Sequence, residues 1–307
     1  MNAFIDERKT ASNLEFVWLE LTNRCNLQCI HCYAESSPHS GKNDILTEQN
    51  YLDLIRQIHD LGCSNVQFIG GEPTLNRSLP RLIEETSYYK FDFVEVFTNL
   101  INLPEDLLQT FVKFNIAVAT SFYSYNEKIH DAITTRQGSF KHTVANIKRV
   151  LKAGLRLRAG IIVMSQNENQ LEETWHFLEN LGIKHIGTDH IRNVGRANES
   201  GVCNMDELCG SCSENILSIG PDGLVAPCNM SKNWSVGSVL LSNLDEIVVS
   251  EKLLNVRQQI KDHVRIQGAP HAICNPKTCP PYPSCCPSTQ ICNPCAPNGC
   301  SPCYPKG

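Results

Sequence analysis

Cys25-Asn26-Leu27-Gln28-Cys29-Ile30-His31-Cys32 sets three thiols at spacings of three and then two intervening residues. Such thiolates can hold three irons of a [4Fe–4S] cube and leave the fourth iron without a protein ligand, whereas a cluster that only carries electrons is normally closed by four thiolates. The next cysteine is Cys63, so no fourth thiol follows closely. An iron left open in this way can bind a further molecule. Cysteines two residues apart also bind zinc, and a structural zinc site is the alternative reading of the same residues.

Two further motifs bear chemistry. Gly70-Gly71-Glu72-Pro73 combines glycines, which let the backbone come close to a ligand, with a carboxylate able to accept hydrogen bonds from an ammonium group. Standing alone it would read as a turn. Cys209-Gly210-Ser211-Cys212 precedes the hairpin pattern Ile216–Ile219, Gly220-Pro221-Asp222-Gly223, Leu224–Ala226, and Cys228 follows it, so closing the hairpin brings three thiols together. Eight more cysteines crowd the tail: Cys274, Cys279, Cys285, Cys286, Cys292, Cys295, Cys300 and Cys303. Cys63, at the end of a helical pattern, reads as a small buried hydrophobe, and Cys203 as a free thiol.

Composition bounds the rest. The chain has 307 residues, 41% hydrophobic and 19% charged, which is ordinary globular composition with ample core. A net charge of −5 gives no electrostatic argument for nucleic acid or an anionic membrane. Neither a long apolar run nor a basic–apolar signal at Met1 is present, so a cytoplasmic location is expected. Sixteen cysteines in a reducing compartment point to metal rather than disulfides. After Gly268 the sequence is dominated by Cys, Pro, Asn and Ser, and metal is what would fold it.

The elements that must position these residues alternate regularly. Strands are expected at Phe16–Leu21, Val66–Phe68, Phe93–Phe97, Ile116–Thr120, Leu157–Val163 and His185–Thr188, each short and apolar as strands buried on both faces should be. Helical spacing marks Glu48–Leu61, Leu79–Ser87, Glu105–Lys113, Thr143–Lys152 and Leu171–Leu181, with Leu244–Ile260 helical later. Six βα units argue for an α/β fold with a parallel sheet curled into a partial (β/α)6 TIM-type barrel, whose site lies at the carboxyl ends of the strands. A flat, doubly wound sheet would give the same alternation.

With Leu21, Thr22, Asn23, Arg24 and Tyr33 beside them, the three cysteines resemble the radical S-adenosylmethionine (SAM) superfamily. Gly70, Gly71, Glu72 and Pro73 are similar to the family segment that binds the SAM amino group, and Thr98-Asn99 to a strand end that touches SAM. Ser121-Phe122-Tyr123-Ser124, His130-Asp131, Arg136 and Gly138-Ser139-Phe140 resemble a stretch of its peptide-modifying members, which would set Ser121 and Arg136 at the SAM carboxylate or ribose. Tyr123 stands where those members carry Asp, so no acid–base role is borrowed from them. Arg192–Ala197 is similar to a segment bordering the site of SPASM-type peptide maturases, and there Arg196 would hold a carboxylate of SAM or substrate. Cys209 and Cys228 match ligand positions of SPASM and the shorter twitch domains, while Cys212 falls where many members have Gly. His31 takes a position beside the cluster that is often aromatic, and would shield rather than titrate.

The resemblance implies three parts: a radical SAM partial barrel over 1–190, a SPASM- or twitch-like hairpin with a helix start over 191–250, and a helix with an auxiliary-cluster tail over 251–307. Cys25, Cys29 and Cys32 would be the catalytic cluster ligands. One or two auxiliary [4Fe–4S] clusters would draw on Cys209, Cys212, Cys228 and the tail cysteines. SAM, cleaved by one electron to a 5′-deoxyadenosyl radical, would supply the oxidant. The implied function is oxidative modification, specifically crosslinking, of a ribosomally made precursor peptide. An epimerase, or a dehydrogenase acting on a peptide or a small molecule such as an aminoglycoside, is the alternative. A flavodoxin or ferredoxin is the expected reductant, since no flavin-binding segment is visible. About fifteen residues precede the first strand, too few for a winged-helix leader-binding domain, so the leader is expected on a separate protein or on the barrel itself.

Overall fold

The computed structural model describes residues 14–267. Six parallel strands run in chain order: β1 Phe16–Glu20, β2 Asn65–Ile69, β3 Phe93–Phe97, β4 Ala117–Phe122, β5 Leu157–Val163 and β6 His185–His190. Between them lie α1 Glu48–Asp60, α2 Leu79–Tyr88, α3 Glu105–Lys113, α4 Glu127–Thr134, α5 Ser139–Lys152 and α6 Leu171–Asn180. Each strand pairs in parallel with the next.

Strand alternation splits the interior into two layers. Val17, Leu19, Val66, Phe68, Val96, Val118 and Ile161 face outward and pack against Ile55 and Ile58 of α1, Leu82 and Ile83 of α2, Phe111 of α3, Ile147 of α5 and Leu178 of α6. Residues of the opposite parity face inward. Phe16, Trp18, Ile69, Phe93 and Ala117 form part of a second core. Trp18 of β1 and Asp189 of β6 line one cavity. In a flat sheet these strands would stand about 24 Å apart, at ~4.8 Å per strand, so the sheet is curled into an open barrel.

The inner face is not wholly apolar. Gln67, Glu95 and Arg158 form a buried chain: Gln67 Nε2 donates to Glu95 Oε2, and Arg158 grips the same carboxylate with Nε at 2.9 Å and Nη2 at 2.7 Å. The Arg158 guanidinium also stands 5.4 Å from the centre of the Phe97 ring.

The expected hairpin is present as β7 Ile216–Ile219 and β8 Leu224–Ala226, followed by β9 Gly237–Ser238. It also extends the barrel sheet. Strand β7 pairs in parallel with β1, giving nine strands in the order β6-β5-β4-β3-β2-β1-β7-β8-β9. Helices α7 Leu244–Val248 and α8 Glu251–Gln267 follow, separated by Val249 and Ser250 rather than continuous. Ile260 of α8 enters the inner core. Among the described residues no helix is long and apolar enough to cross a membrane.

Helix α4 lies where only motif residues were recognised in the sequence, and α5 starts at Ser139 rather than Thr143. Asp131 explains both. Its carboxylate accepts from Gly138 N at 2.6 Å, Ser139 Oγ at 2.7 Å and Phe140 N at 2.8 Å, so a side chain of α4 caps the start of α5. Burial opposes ionisation of Asp131, but these hydrogen bonds outweigh it and hold the carboxyl below its usual range.

Glu95→Ala should lower stability by about 3–5 kcal/mol, because it strands the Arg158 guanidinium inside the barrel. Adding Arg158→Met to Glu95→Ala should recover much of that loss in urea unfolding, an outcome that a simple cavity at position 95 would not give.

Candidate active site

The loop after β1 carries the three thiols. Residues 23–37 form no helix and only an isolated bridge, Arg24 with Ser37. A few of their backbone groups pair within the loop, as Cys32 N does with Cys29 O at 3.2 Å, and others are satisfied from outside. Gly71 N donates to Thr22 O at 2.7 Å and Glu72 N to Arg24 O at 2.9 Å. From α4, Ile133 O accepts from Ile30 N at 3.0 Å, while Thr135 Oγ1 and Arg136 Nη1 donate to the carbonyls of Gln28 and Asn26 at 3.0 and 2.8 Å. From the turn after β6, Arg196 donates through its backbone N to Cys32 O at 3.1 Å, through Nε to Cys29 O at 2.8 Å and through Nη2 to Ser36 O at 2.6 Å. Both arginines that the resemblance set at a ligand carboxylate thus have their guanidinium groups on carbonyls of the thiol loop.

Two glycines are needed for this embrace. A Cβ on Gly71 would stand 2.2 Å from Arg24 O. One on Gly195, at φ +59°, would stand 2.4 Å from the carbonyl oxygens of both Cys32 and Tyr33.

Cys25, Cys29 and Cys32 all line the barrel cavity, together with Gly70, Gly71, Asn99 and Ser121. Leu27 N donates to Cys25 Sγ at 3.4 Å, Asn99 Nδ2 to Cys25 Sγ at 3.7 Å, and Tyr123 Oη to Cys29 Sγ at 4.0 Å. Burial above all, with Glu72 next, pushes the Cys25 thiol far above its ordinary range, and burial with the neighbouring Cys32 pushes Cys29 up to about 12. A cationic cluster would offset this cost by binding thiolates. Among the described residues no three His, Cys, Asp or Glu side chains gather around one ion. A cube, which offers a separate iron to each thiol, does not require that they should. Trp18 Nε1, Gln67 Oε1 and His31 Nδ1 line the same cavity, buried and without hydrogen-bond partners. Donors aimed at sulfur, glycine backbone in the wall and unmet polar atoms together fit a cluster with a polar ligand on it. Burial lowers the His31 pKa to about 4, so it is neutral there.

Glu72 is only 1% exposed. Its Oε1 accepts from Thr74 N at 3.1 Å, Thr74 Oγ1 at 2.7 Å and Thr98 Oγ1 at 2.7 Å, and its Oε2 from Asn99 N at 2.8 Å. Glu72 and Thr98 therefore brace the wall from behind, Pro73 opens the short turn that follows, and Gly70, Gly71 and Asn99 face the cavity.

The second thiol set is also assembled. Cys212 is buried between Cys209 and Cys228; donation to both raises its pKa, and the bond received from Cys212 lowers that of Cys228. Cys212 and Cys228 share the inner core with Phe16 and Trp18. Arg257 of α8, bonded to Ile216 O at 3.0 Å, is close enough to feel the charge of Cys212. Cys63 is a buried thiol donating to Asn65 O, as expected of a core residue, and Cys203 is exposed. The tail ligand candidates Cys274, Cys279, Cys285, Cys286, Cys292, Cys295, Cys300 and Cys303 lie outside the described residues.

Several cavity residues carried no motif: Trp18, Gln67, Phe97, Asp189 and Met230; Arg192 belonged to the Arg192–Ala197 segment that the resemblance set beside the site. The first four occupy inward parity on their strands, which alternation could have found. Arg192, bonded to Asp189 at 2.8 Å, and Met230 are placed by loops.

Residues 19–178 match the family model of the radical SAM superfamily, and residues 206–280 that of SPASM, an iron–sulfur cluster-binding domain. The chain belongs to the radical SAM superfamily. SAM and [4Fe–4S] clusters are the cofactors these two domains imply. The antilisterial bacteriocin subtilosin biosynthesis protein AlbA of Bacillus subtilis is 30% identical over 184 residues, 59% of this chain and 40% of that protein. The sporulation killing factor maturation protein SkfB, from the same organism, is 28% identical over 59% of this chain and 43% of its own. The chain thus spans less than half the length of these relatives. In fold it is similar to Streptococcus suis SuiB bound to the precursor peptide SuiA, with a TM-score of 0.66 and 15% identity over 80% of this chain and 67% of that one.

Gly71→Ala should lower both the melting temperature and the iron retained after anaerobic reconstitution, since the new methyl group meets main chain rather than a side chain that can turn away. Overpacking of this kind costs about 1–3 kcal/mol or more. Wild-type iron content in that variant would contradict the close-approach argument.

Proposed function

We propose that this chain uses radical SAM chemistry to oxidise a ribosomally synthesised precursor peptide, joining one of its side chains to a nearby carbon. One observation carries the reading: Cys25, Cys29 and Cys32 meet the Gly70–Gly71 backbone, Asn99 and Ser121 around a single cavity inside the barrel. When bound there, a reduced cluster and SAM supply abstraction of a hydrogen atom from an unactivated carbon. The chain's own part is positioning and exclusion of water. The three thiolates hold three irons. The Gly70–Gly71 backbone and Asn99 would border the SAM amino group, and Ser121 lines the same cavity. Arg136 and Arg196 fix the loop that carries the thiols. Apolar side chains such as Ile69, Phe97 and Ile162 keep the reacting centre dry.

Oxidation needs a destination for a further electron. Cys209, Cys212 and Cys228, completed by tail cysteines, would hold an auxiliary cluster under the same inner core as Trp18. That proximity supports a crosslink over a redox-neutral outcome. A peptide substrate is supported by the relatives, one named for bacteriocin biosynthesis, one for maturation of a killing factor, and one solved with a precursor peptide. The first electron would come from a flavodoxin or ferredoxin, and the leader segment would be held by a separate protein or by the barrel.

Co-expression with a precursor peptide encoded nearby, followed by mass spectrometry, tests this. The product should be two hydrogens lighter than the precursor, and Cys29→Ala should abolish the change together with SAM cleavage. A product of unchanged mass carrying one solvent deuterium would replace crosslinking with epimerisation.

A further inference from the structure

Tyr123 follows β4 and is 7% exposed. Its ring is fixed by edge-on contact with His31, centroids 5.0 Å apart, and by the His130 ring at 5.3 Å. Its backbone oxygen accepts from Asn167 Nδ2 at 2.7 Å, which holds the residue where the strand ends. The phenol therefore has one orientation, with Oη 4.0 Å from Cys29 Sγ. The phenolic O–H donates to that sulfur, and the Ser121 hydroxyl beside the phenol favours its charged form by hydrogen bonding. The result is a relay, Ser121 O–H to Tyr123 O–H to Cys29, in which each bond polarises the next.

We propose that Tyr123 is a positioning residue that tunes the cluster, donating a hydrogen bond to the Cys29 sulfur and so raising the reduction potential of the iron it ligates. The physical ground is general. Hydrogen bonds to cluster sulfurs withdraw electron density and favour the reduced, more negatively charged state, and they are among the protein's main levers on potential. Arg196, whose Nε bonds the Cys29 carbonyl, adds positive charge on the same side. Cys25 receives its donors from Leu27 N and Asn99, so two of the three thiols have separate donors and the phenol acts at Cys29. Tyr123 need not touch substrate for this effect.

The inference rests on the three-thiol reading of the cluster. Potentiometric titration of the anaerobically reconstituted full chain, followed by electron paramagnetic resonance of the reduced cluster, separates the two. Tyr123→Phe keeps the ring and removes the hydroxyl; its midpoint should move to a more negative value at unchanged iron content. Ser121→Ala removes the first donor of the relay, and with the titration run without SAM it should shift the midpoint less and in the same direction. A midpoint equal to wild type in Tyr123→Phe overturns the inference. If that variant fails to hold iron, an unshifted midpoint in Ser121→Ala overturns it instead. A wild-type signal that ignores added SAM would undo the cluster reading itself, whatever the variants do.

Discussion

A loop without secondary structure can satisfy only part of its own backbone, and the residues around Cys25, Cys29 and Cys32 form such a loop. Their main-chain groups are met by the turn after β2, by the end of α4 and by the turn after β6. Three separate segments must converge before the thiols take their places. The barrel curl is what makes them converge, because it brings strands from opposite ends of the parallel run around one centre. Glycine at 71 and 195 follows from the same demand: main chain packs on main chain with no room for a methyl group.

The charged side chains near the cavity share a pattern. Glu72, Arg136 and Arg196 all direct their polar atoms into the framework. Beside the thiols the wall is left to backbone at Gly70 and Gly71 and to neutral groups at Asn99 and Ser121, while the charges of Asp189 and Arg192, which also line the cavity, are spent on one another. A sulfonium ligand brings its own charge and its own ammonium and carboxylate. A wall that presents neutral dipoles can meet such a ligand without a large desolvation cost, since burying unpaired charge is far more expensive than burying a satisfied dipole.

Much of this was legible in the residues. The six strands and five of the helices follow from alternation and helical spacing, and the three thiols and Gly70–Gly71, singled out by type and spacing, line one cavity. What could not be read were tertiary substitutions for local rules. Asp131 looked like one member of a motif, and its role as a cap for α5 depends on α4 folding back. Arg196 looked like a ligand-binding cation because nothing local shows that the loop of Cys29 lies against it. Gln67, Glu95 and Arg158 interrupt strands otherwise rich in apolar residues, and each becomes intelligible only when three strands are aligned. The attachment of β7 to β1 was likewise invisible, since a parallel pairing across some two hundred residues leaves no local signature.

That attachment has a thermodynamic consequence. Strand β1 gives one edge to β2 and the other to β7, so the segment leading to Cys25 and the hairpin leading to Cys228 draw on a single ladder. A strand cannot melt along one side alone. A cluster bound at either set of thiols would therefore steady the other through the strand between them, and iron at the two sets would load, or be lost, as linked equilibria rather than as independent modules.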